Sequence, residues 1–328
     1  MNILITGVAG FIGFSLANNL LKVNNKIKIY GLDNYDDYYS KKIKNIRIKE
    51  LKKSRNFKFL KIDITDRNLL KKKIKEKKFL LNGWLQIPSA FATEIMAHQE
   101  WDTLTIDMQH GMVGFDSTLS MIQAITSTNT LSLVRVPSND PATIMKILDC
   151  GVSGIICPLV NTKHEAQKFV NSCLYPPEGS RSFGPLRAMM VSGSKYLSEA
   201  NKKITKIVMI ETKEAIDNLE EILSVKGIHG IYIGPNDLGI SLGSPLQVDK
   251  KNKLRANELI LSKTTEKAIL KILKISKKKN IIRGIHSSSP EMSKKMIKAG
   301  FNLVTSASDE RLITAGSQSI INELKFLR

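Results

Sequence analysis

Two acidic residues stand where buried strands are predicted to end. Glu211 follows the apolar run KIVMI, and Asp237 follows the run GIYIG after a short turn. A carboxylate at such a position either caps the next helix or binds a hard divalent cation, because Mg²⁺ and Ca²⁺ prefer oxygen ligands. Capping is sufficient to explain either residue alone. Taken with the other polar residues at equivalent strand ends, the pair predicts a metal site.

Those other residues are Asp107 and His110, which belong to the run TLTIDMQH, and Arg135, which belongs to the run LSLVRV. A guanidinium, an imidazole and two carboxylates in one concavity suit chemistry on an anionic oxo acid. Arg135 can pair with the charge of a developing enolate, and His110 is the natural acid or base at neutral pH. Each also has a structural explanation, namely a salt bridge for Arg135 and a satisfied strand-end histidine for His110.

Eight β-rich runs alternate with amphipathic stretches from residue 80 onward. The runs are NGWLQI, TLTIDMQH, LSLVRV, GIICPL, KIVMIE, GIYIGP, IIRGIH and NLVTSAS. Eight strands alternating with helices over about 250 residues are typical of a (β/α)8 TIM barrel, in which the carboxyl ends of the strands meet at one mouth. The sequence therefore predicts an α/β fold with the polar residues gathered at that mouth. A doubly wound open sheet is the alternative fold.

The front of the chain has a different pattern, a strand, a glycine turn and a helix followed by two more strands. Gly7, Gly10 and Gly13 directly follow the strand NILIT, and such glycines let a backbone approach a pyrophosphate at a helix N-terminus. Asp33 ends the second strand, where a carboxylate can accept hydrogen bonds from ribose hydroxyls. The third strand is FKFLKIDI. This pattern predicts a truncated Rossmann-like βαβαβ half-domain with weak NAD binding at most.

The composition argues against several classes of function. Of the net charge of +20, residues 1–78 carry +13 and the other 250 residues carry only +7. The lysines at the front alternate with Ile and Leu at helical spacing and without aromatic residues, which indicates a solvated helix face and no nucleic-acid surface. Three cysteines without a C-x-x-C pair argue against a disulfide framework or a zinc site. With no apolar stretch of membrane-spanning length, we expect a cytoplasmic protein without a membrane partner.

Residues 80–328 resemble the HpcH/HpaI aldolases, metal-dependent pyruvate aldolases that act on 2-keto-3-deoxy acids. The matching segments stand in the family's order and are LNGWLQIPSAFATEIMAH, IDMQHG, LVRVPSND, ILDCGVSGIICPLVNT, YPPEGSRSFGP, MIETKEAIDNLEEIL, YIGPNDLGISLG and GFNLVTSASD. The resemblance implies a class II aldolase that cleaves a 4-hydroxy-2-oxo acid to pyruvate and an aldehyde. It also implies a homo-oligomer, a hexamer or trimer of dimers, in which a helix within TAGSQSIINELKF packs on a neighbour.

The same resemblance assigns catalytic roles. Glu211 and Asp237 would be the ligands of Mg²⁺, Mn²⁺ or Co²⁺. Arg135 would bind the pyruvyl carbonyl and stabilise the enolate. His110 would be the acid/base, with Asp149, in the segment KILDCG, as its partner.

The resemblance also bears on how the substrate is held. The backbone around Gly234, Pro235 and Asn236 would bind the pyruvate carboxylate, since an exposed turn offers N–H donors. Some members of the family have a glutamine two residues before the metal-binding glutamate, where this chain has Met209. That departure puts the surroundings of the metal in question and leaves the reaction type unchanged.

Roughly the first 70 residues resemble the N-terminus of extended short-chain dehydrogenases/reductases, the nucleotide-sugar epimerases and dehydratases, through TGVAGFIG, LDNYDDYY and KIDITD. That family needs a second half-sheet and a catalytic Tyr-x-x-x-Lys far downstream. Tyr38 and Lys42 have this spacing but directly follow the second strand. The expected domains are residues 1–68, a junction with a leader helix at 69–79, and the aldolase at 80–328. The alternative functions are an NAD-dependent epimerase or dehydratase and a non-catalytic fusion with a decayed barrel.

Overall fold

The computed structural model describes residues 1–23, 27–35, 40–61, 78–244, 261–287 and 289–327. The chain divides into two compact units, Met1–Leu69 and Leu70–Arg328. Most of the expected junction at 69–79 lies outside the described residues, as do Tyr38 and the end of the run FKFLKIDI. Each unit is therefore described by itself.

The first unit is a three-stranded parallel sheet with helices in its crossovers. Along the chain, the elements are β1 (Asn2–Thr6), α1 (Phe11–Val23), β2 (Lys28–Asp33), α2 (Lys41–Leu51) and β3 (Phe57–Lys61), and the sheet order is β1-β2-β3. The predicted βαβαβ half-domain is confirmed. Its core is a cluster of nine buried apolar residues, namely Ile5, Val8, Ala9, Ala17, Ile27, Ile29, Ile48, Leu51 and Phe57.

Packing requires glycine in the turn between β1 and α1. Gly7 has a φ of +63°, and a Cβ on Gly13 would overlap the backbone carbonyl group of Gly7. The backbone N–H of Gly10 donates a hydrogen bond of 2.9 Å to that same carbonyl. The glycine spacing is therefore needed to close the turn, whether or not a ligand binds there.

The second unit is a closed barrel of eight parallel strands. The strands are β4 (Leu80–Leu85), β5 (Thr103–Asp107), β6 (Leu131–Arg135), β7 (Gly154–Cys157), β8 (Thr205–Met209), β9 (Gly230–Ile233), β10 (Ile282–His286) and β11 (Leu303–Ser308). Their order around the barrel is β10-β11-β4-β5-β6-β7-β8-β9. They correspond to the eight predicted runs. The prediction of a (β/α)8 barrel is confirmed, and the alternative open sheet is excluded.

Helices accompany the barrel strands along the chain. They are α3 (Ala90–Ala97), α4 (Phe115–Thr126), α5 (Pro141–Asp149), α6 (Lys163–Cys173), α7 (Leu186–Ser192), α8 (Tyr196–Lys203), α9 (Lys213–Asp217), α10 (Leu219–Ile222), α11 (Pro235–Ser241), α12 (Lys263–Lys278), α13 (Pro290–Ala299) and α14 (Asp309–Leu324), which a 3₁₀ turn (Lys325–Leu327) follows. Among the helices that the structure describes, none is both long and apolar enough to cross a membrane.

The barrel strands are buried on both faces, as expected of a parallel sheet that helices cover. Because side chains alternate along a strand, one set of residues fills the barrel interior and the other set packs against the helices. The interior cluster consists of Leu80, Trp84, Leu133, Ile156, Ile207, Met209, Tyr232, Ile282 and Leu303. The outer cluster is larger and includes Leu104, Ile106, Val134 and Ile155. Packing on both faces fixes the strand ends that carry the polar residues.

One predicted helical stretch is divided in the structure. The segment KEAIDNLEEILSV is one of the amphipathic stretches between the predicted strands, and it contains two helices, since α9 ends at Asp217 and α10 begins at Leu219. Between them, the side-chain amide of Asn218 donates a hydrogen bond of 2.9 Å to the backbone carbonyl of Asn161. The break therefore comes with a tertiary contact that the local hydrophobic pattern does not reveal.

Candidate active site

A pocket opens at the carboxyl end of the barrel, where the strand ends meet. Its volume is about 190 Å³, which is small for a ligand site and suits a small metabolite. Six of the residues predicted from sequence line it, namely His110, Arg135, Gly234, Pro235, Asn236 and Asp237. The fold therefore brings most of the site residues that were predicted for the barrel to one cavity.

Asp107 and Arg135 form a buried ion pair at the ends of the neighbouring strands β5 and β6. Nε of Arg135 donates to Oδ1 of Asp107 at 2.8 Å, and Nη2 donates to Oδ2 at 2.6 Å. Asp107 also accepts hydrogen bonds from Trp84 Nε1 and from the backbone N–H groups of Gln109 and His110. Burial would raise the pKa of Asp107, but its hydrogen bonds and the charge of Arg135 outweigh burial and lower the pKa.

This pairing fixes the direction of the Arg135 guanidinium. Its Cζ lies 4.9 Å from the centroid of the Trp84 ring, and Asp107 binds the edge formed by Nε and Nη2. No residue in the described ranges accepts a hydrogen bond from Nη1, and Arg135 lines the pocket. A guanidinium that is already held in place can bind an oxyanion at its remaining edge with little loss of conformational freedom.

Glu211 and Asp237 converge over Gly234. Glu211 is buried two residues beyond β8, and Asp237 is exposed in the first turn of α11. A Cβ built on Gly234 would lie 2.8 Å from Oε2 of Glu211 and 3.4 Å from Oδ2 of Asp237. The absence of a side chain at residue 234 thus leaves a small space between two carboxylate oxygens. This arrangement fits a divalent cation.

The charge of Glu211 is poorly compensated by the protein. Burial raises its pKa and so does the nearby charge of Asp237, although the N–H of Leu159 donates to Oε1 at 2.9 Å and Arg135 acts in the opposite direction. Leu159 presents this N–H from a left-handed backbone conformation, with a φ of +52°. A cation between the two carboxylates would relieve their repulsion, so the electrostatics also fit a bound metal.

The protein supplies few ligands to such a metal. Within the described ranges, no group of three or more His, Cys, Asp and Glu side chains could hold a metal ion. Two carboxylates alone are nevertheless sufficient for Mg²⁺, which usually keeps several waters and takes further ligands from its substrate. Glu211 and Asp237 would therefore hold a cation that stays open to a ligand in the pocket.

Comparison with known proteins identifies the class of enzyme. The family described as HpcH/HpaI aldolase/citrate lyase matches residues 82–315. The chain belongs to this family. It is an aldolase, that is, a carbon–carbon lyase.

Two named relatives and one solved structure show how far the similarity of this aldolase extends. A hydroxypyruvate/pyruvate aldolase of Rhizorhabdus wittichii is 37% identical over 247 residues, which are 75% of this chain and 94% of that protein. A 5-keto-4-deoxy-D-glucarate aldolase of Escherichia coli is 32% identical over 178 residues, 54% of this chain and 70% of that protein. The crystal structure of a family member from Burkholderia cenocepacia has a TM-score of 0.71 at 26% identity and covers 79% of this chain and 99% of that chain.

The first unit of the aldolase is similar to a different family, described as GDP-mannose 4,6 dehydratase, over residues 4–80. Its predicted ribose-binding residue, Asp33, is buried and already has protein partners. Oδ2 accepts a hydrogen bond of 3.0 Å from the N–H of Ala9, and Oδ1 accepts one of 2.8 Å from the N–H of Tyr35. Lys44 Nζ lies 3.6 Å from Oδ1. The carboxylate therefore holds the glycine turn in place. Each of its oxygens can accept a further hydrogen bond, so binding of ribose hydroxyls by Asp33 stays a prediction.

Asp149 does not reach the pocket of its own aldolase chain. It is the last residue of α5, which runs back from the end of β6, so it lies at the amino end of the barrel. Its Oδ1 accepts a hydrogen bond of 2.7 Å from Nη2 of Arg181, which also binds the Tyr196 hydroxyl. His110 lies in the pocket at the carboxyl end. The predicted pairing of His110 with Asp149 is not formed within the described part of one chain.

The pocket of the aldolase also contains residues that the sequence reasoning missed. Trp84 and Gln86 lie at the end of β4, His286 ends β10, and Glu310 and Arg311 follow β11. All of them stand at the carboxyl ends of strands. The strand-end argument that found Arg135 and Glu211, applied to the first and the last two barrel strands, would have found these residues as well.

Proposed function

We propose that this aldolase cleaves a 4-hydroxy-2-oxo acid to pyruvate and an aldehyde, with a divalent cation held by Glu211 and Asp237. One observation carries the proposal: these two carboxylates converge over Gly234, beside the same small pocket that Arg135 lines. A cation site and a fixed guanidinium suit a 2-oxo acid, because its oxygens gain negative charge when the adjacent carbon–carbon bond breaks. The relative named as a hydroxypyruvate/pyruvate aldolase supports this choice of substrate class.

The 2-oxo acid end of the substrate is assigned to the turn and to Arg135. Gly234, Pro235 and Asn236 line the pocket next to the carboxylate pair, and we assign the substrate carboxylate to this turn. Arg135 would bind the 2-oxo oxygen through Nη1, while Asp107 keeps the guanidinium oriented. A bound Mg²⁺, Mn²⁺ or Co²⁺ would supply Lewis acidity toward the 2-oxo group.

Cleavage breaks the bond between C3 and C4. A base removes the proton of the 4-hydroxyl group, its oxygen forms the aldehyde carbonyl, and the electron pair of the broken bond forms the C2=C3 double bond of an enolate. Arg135 stabilises the enolate oxygen, and protonation at C3 then gives pyruvate. His110, in the pocket after β5, is assigned to these proton transfers because an imidazole both accepts and donates a proton near neutral pH.

Pyruvate release tests this proposal. The protein would be incubated with 4-hydroxy-2-oxoheptanedioate or a 2-keto-3-deoxy sugar acid, and pyruvate would be followed with lactate dehydrogenase, first with Mg²⁺ or Mn²⁺ and then with EDTA. We expect release that EDTA abolishes and added metal restores. Release that continues in EDTA, or full activity of Glu211→Ala and Asp237→Ala, would contradict the metal site. No release with either metal would contradict the reaction.

A homo-oligomer is the second part of the proposal. In α14, Asp309 is the buried residue, while the helix exposes a set of large apolar side chains. Such a surface is typical of a contact between copies. An oligomer is also required if Asp149 is to partner His110, because the two residues lie at opposite ends of the barrel in one chain. The exposed apolar residues are Leu312, Ile313, Ile320, Ile321 and Leu324.

A further inference from the structure

One side of the pocket is polar. Apart from a hydrogen bond of 3.3 Å that Nε2 of Gln86 donates to Oδ2 of Asp107, it has no part in the chemistry described so far. It consists of Gln86 after β4, His286 at the end of β10, Ser308 at the end of β11, and Glu310 and Arg311 in the first turn of α14. We call this set the distal wall. It comes from strands β10, β11 and β4, whereas the carboxylate pair and the turn that begins with Gly234 follow β8 and β9.

The backbone of the distal wall is fixed by Asp309. Its Oδ1 accepts a hydrogen bond of 2.9 Å from the N–H of Gln86, and its Oδ2 accepts one of 3.1 Å from the N–H of Ile87. Asp309 is almost fully buried. These two bonds join the first turn of α14 to the loop after β4. The backbone that carries Glu310 and Arg311 is therefore held in place.

Arg311 is further oriented by its neighbour. Ser308 Oγ donates a hydrogen bond of 2.9 Å to Oε1 of Glu310, and that same oxygen lies 3.6 Å from Nε of Arg311. This separation is longer than a hydrogen bond, so Glu310 orients the guanidinium chiefly through its charge. The side chain of Arg311 remains 36% exposed where it lines the pocket. Its planar group of N–H donors matches the oxygens of a carboxylate or a phosphate.

His286 adds a neutral imidazole to the distal wall. Its ring packs edge-on against Trp84 with 5.1 Å between centroids, and its Nδ1 lies 3.5 Å from the hydroxyl of Tyr232. Burial, followed by the charges of Arg135 and Arg311, lowers its pKa to about 4. The imidazole is therefore uncharged at neutral pH and can exchange hydrogen bonds with substrate hydroxyl groups.

The position of the distal wall determines which part of a substrate it meets. If the 2-oxo acid end is held by the turn after β9 and by Arg135, the remaining chain extends toward the rest of the pocket. The distal wall there presents the guanidinium of Arg311 beside the carboxylate of Glu310, the neutral imidazole of His286 and the hydroxyl group of Ser308. A hydroxylated chain with an anionic end would add hydrogen bonds and a charge contact to these groups, whereas an apolar aldehyde would add neither.

We propose that the distal wall is a second recognition site, in which Arg311 binds an anionic group, carboxylate or phosphate, at the far end of the substrate. His286 and Ser308 bind hydroxyl groups along the chain. This inference rests on the proposed function, because it takes the orientation of the substrate from the 2-oxo acid site.

Binding of uncleavable ligands tests this inference separately from catalysis. Without a 4-hydroxyl group, a 2-oxo acid cannot undergo the cleavage described above. We would titrate the full chain, in the presence of Mg²⁺, with 2-oxohexanedioate, with 2-oxohexanoate, and with a 2-oxo acid of similar length that ends in a phosphate ester. Isothermal titration calorimetry would give each Kd. The variants are Arg311→Gln, which keeps hydrogen-bonding capacity without the charge, and Lys294→Gln on α13 as the control for losing a positive charge.

We expect the native protein to bind at least one ligand with an anionic end about tenfold more tightly than 2-oxohexanoate. In Arg311→Gln this preference should disappear, and in Lys294→Gln it should persist. Comparison of the dicarboxylate with the phosphate ester shows which anion the wall prefers. Equal affinity for all three ligands in the native protein, a preference that survives in Arg311→Gln, or no binding of any of them would overturn the inference. Pyruvate release from a cleavable 4-hydroxy acid would then show whether the proposed reaction itself stands.

Discussion

Among the individual residues, Arg135 and Glu211 are both buried, but only the charge of Arg135 is compensated by an ion pair within the protein. Arg135 is paired on one edge by Asp107, whose pKa is lowered, so this carboxylate stays ionised. Glu211 is buried beside Asp237, and its pKa is raised. The protein thus stabilises its own positive charge and leaves a negative region that a cation can neutralise. This asymmetry is the reason that we assign the metal to Glu211 and Asp237 rather than to Asp107.

The sequence could place these residues but could not pair them. The strand-end argument put Asp107, Arg135, Glu211 and Asp237 at one mouth, and the pocket contains or adjoins all of them. Spacing along the chain does not show which carboxylate binds Arg135, because that depends on register between neighbouring strands. Asp107 is directly opposite Arg135 in the β5–β6 register. The partner of Arg135 is therefore known only once the strand pairing in the closed barrel is known.

Loss of Asp107 should weaken both the fold and the reaction. We expect Asp107→Asn to lower the free energy of unfolding by about 3–5 kcal/mol, because it leaves the buried Arg135 without its charged partner. We expect kcat/KM to fall about 100-fold, since Arg135 loses its fixed direction. Urea denaturation and pyruvate release measure the two effects. Asp116→Asn, at an exposed position in α4, is the matched control and should change neither.

The same pair predicts a pH dependence. Because the folded state lowers the pKa of Asp107 below 3.8, its contribution to stability is fully present above pH 3.8 and is lost as the pH falls through the lowered value. The difference in unfolding free energy between the native protein and Asp107→Asn should therefore be constant near neutral pH and should shrink below pH 3.8. A difference that grows with acidity would contradict this account of the ion pair.

Gly234 offers a test of the cation site that does not remove a ligand. In Gly234→Ala, the new Cβ would lie 2.8 Å from Oε2 of Glu211, so this carboxylate must move. The backbone at residue 234 has a φ of −94°, which alanine adopts without strain. We expect Mn²⁺ binding, measured by calorimetry, to weaken at least tenfold. Gly114→Ala, where a Cβ meets no atom within 4 Å, is the control, and equal Mn²⁺ affinity in both variants would argue against the site.

At the scale of elements, the sequence predicted strands better than the details of helices. All eight apolar β-rich runs are barrel strands, because burial on both faces gives each run a continuous apolar pattern. The division between α9 and α10 was missed, since it comes with a contact from Asn218 to Asn161. The use of Asp33 within its own turn was missed for the same reason. Local sequence patterns show which residues are buried and whether apolar residues recur at the spacing of a strand or a helix. These two features depend instead on contacts between residues distant in the chain.

The exposed apolar face of α14 predicts that the protein assembles into an oligomer. We expect the native protein to be an oligomer in solution, and Ile320→Glu to dissociate it by placing a charge within the apolar surface. Light scattering coupled to size-exclusion chromatography measures the molar mass. Ser319→Glu adds the same charge at the adjacent exposed residue and should disturb assembly less. A native protein that elutes as a monomer would remove the basis for placing Asp149 beside His110 of a second copy.

At the scale of the whole molecule, the chain combines two units with separate cores. The first unit has nine buried apolar residues in its cluster. The barrel has two clusters of its own, a large one between strands and helices and an interior one that also has nine buried residues. No strand of the described ranges is shared between the two sheets. The family matches also divide the chain in two, since one covers residues 4–80, extending past Leu69, and the other covers residues 82–315. We propose that the domains are those expected from sequence, with the join within residues 69–79.

This organisation predicts that the two units lose their structure in separate steps. A three-stranded sheet with a small core has little stability of its own, whereas a barrel buried on both faces unfolds at higher denaturant. In a urea titration, we expect a first transition that leaves aldolase activity intact and a second that abolishes it. Ile29→Ala, which empties a buried site in β2, should cost about 2–5 kcal/mol and move only the first transition. The matched substitution Ile155→Ala in β7 should move only the second. If either variant shifts both transitions equally, or if activity is lost with the first, the two units fold as one and the front segment is part of the working aldolase.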